Sequence, residues 1–220
     1  MEACIVLEHV TKSYQRHQVL KDICVDFAPG CIHGIVGRNG SGKTQMFKTI
    51  AGYVLPDTGR VVVEGMAVGC NIDHPKRLGL LIEAPGFLPG YSGLFNLQML
   101  AAMNTKLRRK NLLDVLHSVG LDGVEHKRVS QYSLGMRQRL GIAQAIMDAP
   151  SLIILDEPFN GLDNAGVKEV RQLLIRLRNE GKTILLSSHH AGDISALCDT
   201  VYEMEAGSIC KIGVSTVERL

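Results

Sequence analysis

Apolar positions in the opening part of the chain come in short, strand-like runs. Residues 3–10 form one, and residues 19–27 form a second that alternates through Ile23, Val25 and Phe27 as a half-buried strand does. Pro29-Gly30 turns the chain into a short apolar run at 31–36, and residues 43–51 then read as a helix. A turn at Pro56-Asp57-Thr58-Gly59 introduces a strand over 60–64, and 78–83 reads as another buried strand. Beyond that point the period changes. Leu94, Leu97 and Ala101, then Leu112, Leu116 and Val119, then Leu140, Ala143 and Ile146 recur at helical spacing with no strand pattern between them. Strand patterning resumes at 152–156. A helix follows over 164–180, with Val167, Val170, Leu174 and Leu177 as its apolar stripe; 183–187 is a further strand, and a last hairpin turns at Ala206-Gly207. Alternating strands and helices predict an α/β body on a mainly parallel sheet, with its ligand at the carboxyl ends of the strands. The helical stretch predicts an insert: residues 1–84 and 151–220 make the α/β body, and 85–150 a helical subdomain.

Composition narrows this little but excludes some classes. With 220 residues and 45% hydrophobic content the chain can bury a real core as one domain carrying an insert. A formal net charge of +2 argues against a dedicated nucleic-acid binder, so no nucleic-acid partner is expected. No apolar run approaches the ~20 residues that span a bilayer, and the start of the chain lacks the pattern of a signal peptide. Six cysteines are scattered through strand-like stretches with no C-x-x-C pair, which predicts reduced core cysteines and no thiol-based metal site. Lys106, Arg108, Arg109 and Lys110 form a basic cluster, by default a solvated helix start.

The stretch Gly37-Arg38-Asn39-Gly40-Ser41-Gly42-Lys43-Thr44 changes the picture. It matches G-x-x-x-x-G-K-[ST] between a strand and a helix. Its glycines let the backbone curl until successive N–H groups point into one concavity, and the following helix adds its dipole, so an anion is favoured twice. Lys43 supplies a point charge near the β- and γ-phosphates, and the Thr44 hydroxyl can ligate an accompanying Mg²⁺. Further on, the apolar strand Leu152-Ile153-Ile154-Leu155 ends in Asp156-Glu157. Successive strand residues point to opposite faces, so Asp156 can join the Mg²⁺ shell while Glu157 polarises a water for attack on the γ-phosphate.

Together with three more stretches, these residues resemble the nucleotide-binding subunit of ABC transporters across essentially the whole chain. Tyr132-Ser133-Leu134-Gly135-Met136 stands where that family has its LSGGQ signature, just before Arg137-Gln138-Arg139-Leu140. Asn160-Gly161-Leu162-Asp163 stands at the D-loop, and Ser188-His189 at the switch histidine. The resemblance implies a P-loop NTPase (RecA-like) core with an antiparallel β subdomain and an inserted α-helical subdomain. It implies an ATPase using ATP and Mg²⁺, with Lys43, Glu157 and His189 catalytic and Thr44, Asp156 and Glu83 around the metal. The P-loop residues Gly37, Arg38, Asn39, Gly40, Ser41, Gly42, Lys43 and Thr44 would bind ATP, and Tyr14 would stack on adenine. Ser133, Leu134, Gly135 and Met136 would close over the ATP of a second copy, with the D-loop Asp163 beside them, in an ATP-dependent homodimer.

The resemblance also implies a separate integral-membrane permease that docks beside Glu83 and residues 85–91. The chain would then be cytoplasmic and peripheral on the cytoplasmic face of the membrane. Leu134 replaces the family's first signature glycine and Met136 its glutamine, while Ser133 and Gly135 are kept. Glu83 stands where most of the family has glutamine; a solvated loop carboxylate is its plainer account. Glu83 before Ala84-Pro85-Gly86-Phe87, with Tyr132 to Arg139 reading YSLGMRQR, resembles the branch serving bacitracin and lantibiotic resistance and immunity exporters. The alternative function is a soluble, non-transport ABC ATPase acting in repair, translation or assembly.

Overall fold

The computed structural model describes residues 4–83, 86–104, 107–189, 194 and 197–214. Along the chain lie β1 (Ile5–Tyr14), β2 (His17–Phe27), β3 (Ile32–Val36), α1 (Lys43–Ile50), β4 (Thr58–Val63), β5 (Met66–Ala67) and β6 (Leu78–Leu81). Then come α2 (Gly93–Asn104), α3 (Arg109–Ser118), α4 (Leu134–Ile146), β7 (Leu152–Leu155) and α5 (Asn164–Asn179). β8 (Thr183–Ser188), β9 (Thr200–Glu205) and β10 (Ser208–Val214) follow.

Two sheets form. One, in the order β2-β1-β4-β5, is antiparallel throughout. The other runs β10-β9-β3-β8-β7-β6, parallel from β9 to β6, with β10 antiparallel at its edge. β3, β7 and β8 are buried at every position because both faces of their sheet are covered, which is why they read as apolar runs instead of alternating ones. On one face Ile153, Leu155, Ile184 and Leu186 join Leu97, Leu116, Leu140 and Leu174 of the helices in one core. On the other, Ile35, Leu152, Ile154 and Leu185 join Phe27 and Leu7 of the antiparallel sheet and Met46 and Phe47 of α1. Each such large side chain contributes about 1.5–3 kcal/mol by leaving water. The helical stretch thus shares its core with the sheet.

Several boundaries differ from the sequence pattern, each for a backbone reason. β1 runs on to Tyr14 because bulges absorb its irregular pairing. β6 stops at Leu81 and β7 at Leu155, since Glu83 and Glu157 adopt left-handed φ of +60° and +52°. The expectation of core cysteines is corrected: only Cys4 and Cys198 are buried, Cys31 is half-buried, and Cys24, Cys70 and Cys210 are exposed. Strand alternation turns Cys24 and Cys210 outward, while Cys70 sits in the turn after β5.

His33 on β3 is 1% exposed and wedged edge-on against Phe27. Its Nε2 donates to the Ala28 carbonyl at 2.9 Å, so Nδ1 accepts from the Thr200 hydroxyl at 2.6 Å. Burial holds its pKa below the ordinary histidine value. The unfolded chain therefore takes up a proton near pH ~6.5 that the folded protein resists, so this contribution to stability is intact above that pH and declines below it. Urea midpoints measured downward from neutral pH should fall, His33 adding a slope of at most about 1.4 kcal/mol per pH unit. His33→Gln should flatten that part of the profile, and an unchanged slope in the variant would assign the decline to other groups.

Candidate functional site

β3, β8 and β7 lie side by side, with Val36 opposite Ser188 and Leu155 opposite Leu186. Parallel strands in this register deliver the glycine loop, Asp156-Glu157 and His189 to the same edge. The loop follows its glycines. A side chain at Gly37 would place Cβ 2.3 Å from the Met204 carbonyl oxygen, and Gly42, the N-cap of α1, sits at φ +112°. α1 has no acidic residue of its own in its first turn, so its positive end faces the loop. Arg38, Asn39 and Gly40 form the exposed tip.

Lys43 is buried under the loop, its ammonium donating to the carbonyls of Gly37 at 2.6 Å and Arg38 at 3.2 Å. The Thr44 hydroxyl donates to one oxygen of Asp156 at 2.5 Å, and the Ser187 hydroxyl donates to the other. The same Ser187 oxygen accepts the Glu157 N–H at 2.9 Å, while Gln138 on α4 donates to the Glu157 carbonyl at 3.0 Å. Glu157 Oε2 lies 2.9 Å from His189 Nδ1; an ionised carboxylate only accepts, so Nδ1 carries the proton. Glu157 Oε1 sits 3.9 Å from the Lys43 ammonium.

Lys43, Thr44, Asp156 and Glu157 line a cleft of about 470 Å³ edged also by Asn39, Gly40, Gln45 and Glu83. Gln45 Nε2 and Glu157 Oε1, on residues that line it, are buried without a hydrogen-bond partner. An unsatisfied buried polar group costs about 1–3 kcal/mol, so two beside one cleft fit a polar ligand that completes them. The donor set suits a polyphosphate with a hard cation: backbone N–H groups and an ammonium for the anion, a hydroxyl and carboxylate oxygens for the metal.

The remaining expected residues take distinct places. Tyr14, 47% exposed at the end of β1, donates through its hydroxyl to Gln45 Oε1 at 3.2 Å and so stands at the rim. Glu83 reaches the cleft but is bound to the Lys48 ammonium at 2.6 Å. Ser133 caps α4, its Oγ accepting from the Met136 N–H at 3.1 Å. Leu134 is 60% exposed and lies over Gly161, whose would-be Cβ is 2.5 Å from Leu134 Cγ; Gly135 abuts the Gly161 carbonyl. None of Ser133 to Met136 lines the Lys43 cleft. Asp163 caps α5, accepting from the Gly166 N–H at 2.8 Å. Sequence reasoning missed Ser187, Gln138 and Gln45. A polar pair ending the apolar strand β8 was the signal for Ser187; Gln138 and Gln45 gave none.

The chain matches the family model described as ABC transporter over residues 20–160. It is 38% identical to the uncharacterized ABC transporter ATP-binding protein YybJ of Bacillus subtilis, over 91% of this chain and 92% of that protein. It is 40% identical to the bacitracin transport ATP-binding protein BcrA of Enterococcus faecalis, over 95% of this chain and 68% of that one. The lantibiotic transport ATP-binding protein SrtF of Streptococcus pyogenes is 32% identical, over 92% and 87% respectively. Among solved structures, cbiO1 from Clostridium perfringens, part of the cbiONQ complex, superposes with a TM-score of 0.82 at 26% identity, over 98% of this chain and 89% of that one. The dimeric structure of MJ0796, a bacterial cassette, shares the fold with a TM-score of 0.85 at 24% identity, over 93% and 96%.

Removing the Ser187 hydroxyl strands an oxygen of the half-buried Asp156 and the Glu157 N–H together. Ser187→Ala is expected to lower the unfolding free energy by about 1–3 kcal/mol in a denaturant titration. No measurable loss would mean that the hydroxyl is not what fixes the two carboxylates.

Proposed function

The chain belongs to the ABC transporter family as an ATP-binding, ATP-hydrolysing subunit, and from that premise we propose that two copies close on ATP and drive a separate membrane permease that exports peptide antibiotics or confers immunity to them. One observation carries the reading. Lys43, Thr44, Asp156 and Glu157 line one cleft, with His189 bonded to Glu157, while Ser133 and Gly135 lie outside it.

In this reading the Lys43 ammonium exchanges its loop carbonyls for the β- and γ-phosphate oxygens. Thr44 and Asp156 would hold Mg²⁺, and Glu83 would join them on releasing Lys48. The ion would neutralise phosphate charge and supply Lewis acidity. Glu157 Oε1, buried and without a hydrogen bond, accepts the proton of the attacking water, while His189 Nδ1–H holds the carboxylate through Oε2. Little covalent chemistry is asked of the protein; positioning and charge do most of the work. Ser133 uses an oxygen lone pair to cap its own helix, so its hydroxyl hydrogen remains to meet the γ-phosphate bound by the other copy, with the α4 N-terminus behind it. Tyr14 gives adenine a stacking face at the rim, a contact of about 1–3 kcal/mol.

A groove of about 480 Å³ supports the permease partner. It is bounded by Tyr53, Leu100 and Met103 together with Lys48, Glu83 and Asp148. Leu88, Tyr91, Phe95, Met99 and Met103 are exposed apolar side chains in the adjoining segment, and a patch of that kind marks a protein contact. The surface is built, not loose: Tyr91 stacks on Phe95 with centroids 4.5 Å apart, and buried Asn96 bonds both the N–H and the carbonyl of Leu88. Ala84 and Pro85, expected at this junction, and Lys106 of the basic cluster lie outside the described residues. Among the described residues no helix is long and apolar enough to cross a membrane. The transport path would belong to the permease, with this chain on its cytoplasmic face. The bacitracin and lantibiotic relatives support the exporter branch.

Glu157→Gln should slow phosphate release about 100-fold or more while leaving ATP binding and ATP-dependent dimerisation in place. Unaltered release would remove Glu157 as the base, and a monomer in the presence of ATP would remove the shared site. Glu83→Gln should bind ATP as the parent does but change turnover once the permease is present in proteoliposomes; equal stimulated rates would sink the coupling role.

A further inference from the structure

On the antiparallel sheet, β1 and β2 slip register three times, and the first two slips concern His9 and Asp22. Leu7 pairs with Val25, Val10 with Ile23 and Lys12 with Leu20. The first slip sets Glu8 and His9 against the single residue Cys24; the second sets Lys21 and Asp22 against Thr11. Bulges of this kind re-aim side chains. His9 and Asp22 both take left-handed φ, +50° and +51°, a conformation that costs of order 1–3 kcal/mol in a non-glycine residue. The outcome is a cluster that spacing along the chain could not reveal. His9 Nδ1 lies 2.8 Å from Asp22 Oδ1 and 3.5 Å from Cys24 Sγ, and the His9 backbone N–H points at the same sulfur at 3.3 Å. The three ligand atoms fall within 4.8 Å of one another, on exposed residues.

One ring nitrogen faces both partners. A proton relay from thiol to imidazole to carboxylate would use the two ring nitrogens separately. Convergence on a single nitrogen encloses a point, as metal ligands do. Around a tetrahedral zinc ion with bonds of ~2.0–2.3 Å, neighbouring ligand atoms lie roughly 3.3–3.7 Å apart. The nitrogen–sulfur spacing already matches, and the carboxylate would withdraw by about half an ångström. We propose that His9, Asp22 and Cys24 bind a divalent transition ion of the zinc class, with solvent completing the coordination. Thiolate and imidazole select such an ion over Mg²⁺, which prefers oxygen donors. Binding releases the Cys24 thiol proton to solvent and clamps β1 to β2. An open groove past Glu8, Val25 and Asp26 gives access. This site shares no residue with the nucleotide cleft.

Cobalt(II) alone, titrated into chelator-stripped, nucleotide-free protein, tests it. One equivalent should bind with a sulfur-to-cobalt charge-transfer band and the intense visible bands of a four-coordinate ion, and Zn²⁺ should bleach both. Cys24→Ser should abolish the charge-transfer band. His9→Asn, which still tolerates left-handed backbone, should weaken binding at least 10-fold. Cys70→Ser and Cys210→Ser should leave the band unchanged, and Zn²⁺ should raise the melting temperature of the parent but not of Cys24→Ser. Absence of the band, its survival in Cys24→Ser, its loss in Cys70→Ser or Cys210→Ser, or equal melting shifts in parent and Cys24→Ser would each overturn the proposal.

Discussion

The Asp156 carboxylate is held from two sides, by the Thr44 hydroxyl at the start of α1 and by the Ser187 hydroxyl on β8. Those two bonds tie together the three elements that must agree for phosphate chemistry: the loop-helix unit, the strand carrying the carboxylates, and the strand leading to His189. Both donors are neutral hydroxyls. Two of roughly four acceptor positions are used, leaving lone pairs for a cation. Ser187 also receives the Glu157 N–H, so one hydroxyl sets the position of both acids.

The sheet makes this arrangement stiff. β3, β7 and β8 have no exposed face, and their apolar side chains divide between two cores, one beneath the helices and one beneath the antiparallel sheet. Their carboxyl ends can shift only by disturbing close-packed interiors on both sides. Polar groups that would be expensive in such surroundings occur where the strands end, and there they bond one another or wait for a ligand.

Helix α4 is joined to the same centre. Gln138 on α4 bonds the Glu157 carbonyl, and Leu134 rests on Gly161 four residues beyond Glu157. Leu134 is accommodated because the facing position is itself a glycine, with φ +76°. The N-terminus of α4 and Glu157 are thus a few bonded contacts apart, although Ser133 does not enter the Lys43 cleft.

The sequence alone determined the glycine loop at 37–44, the Asp156-Glu157 pair at a strand end, the alternation of strands and helices and the helical stretch, because each is written in neighbouring residues. A glycine spacing fixes a local curl, an apolar run fixes a strand, and a period of three to four fixes a helix. Only the tertiary structure decided what depends on distant residues meeting. Ser187 and Gln138 reach Asp156 and Glu157 across 31 and 19 positions. Glu83 finds Lys48 across 35, and His9 meets Asp22 and Cys24 through two bulges that no periodicity announces. Cysteines that looked like core residues proved partly exposed because a strand's outward face is set by register, which the sheet partners choose.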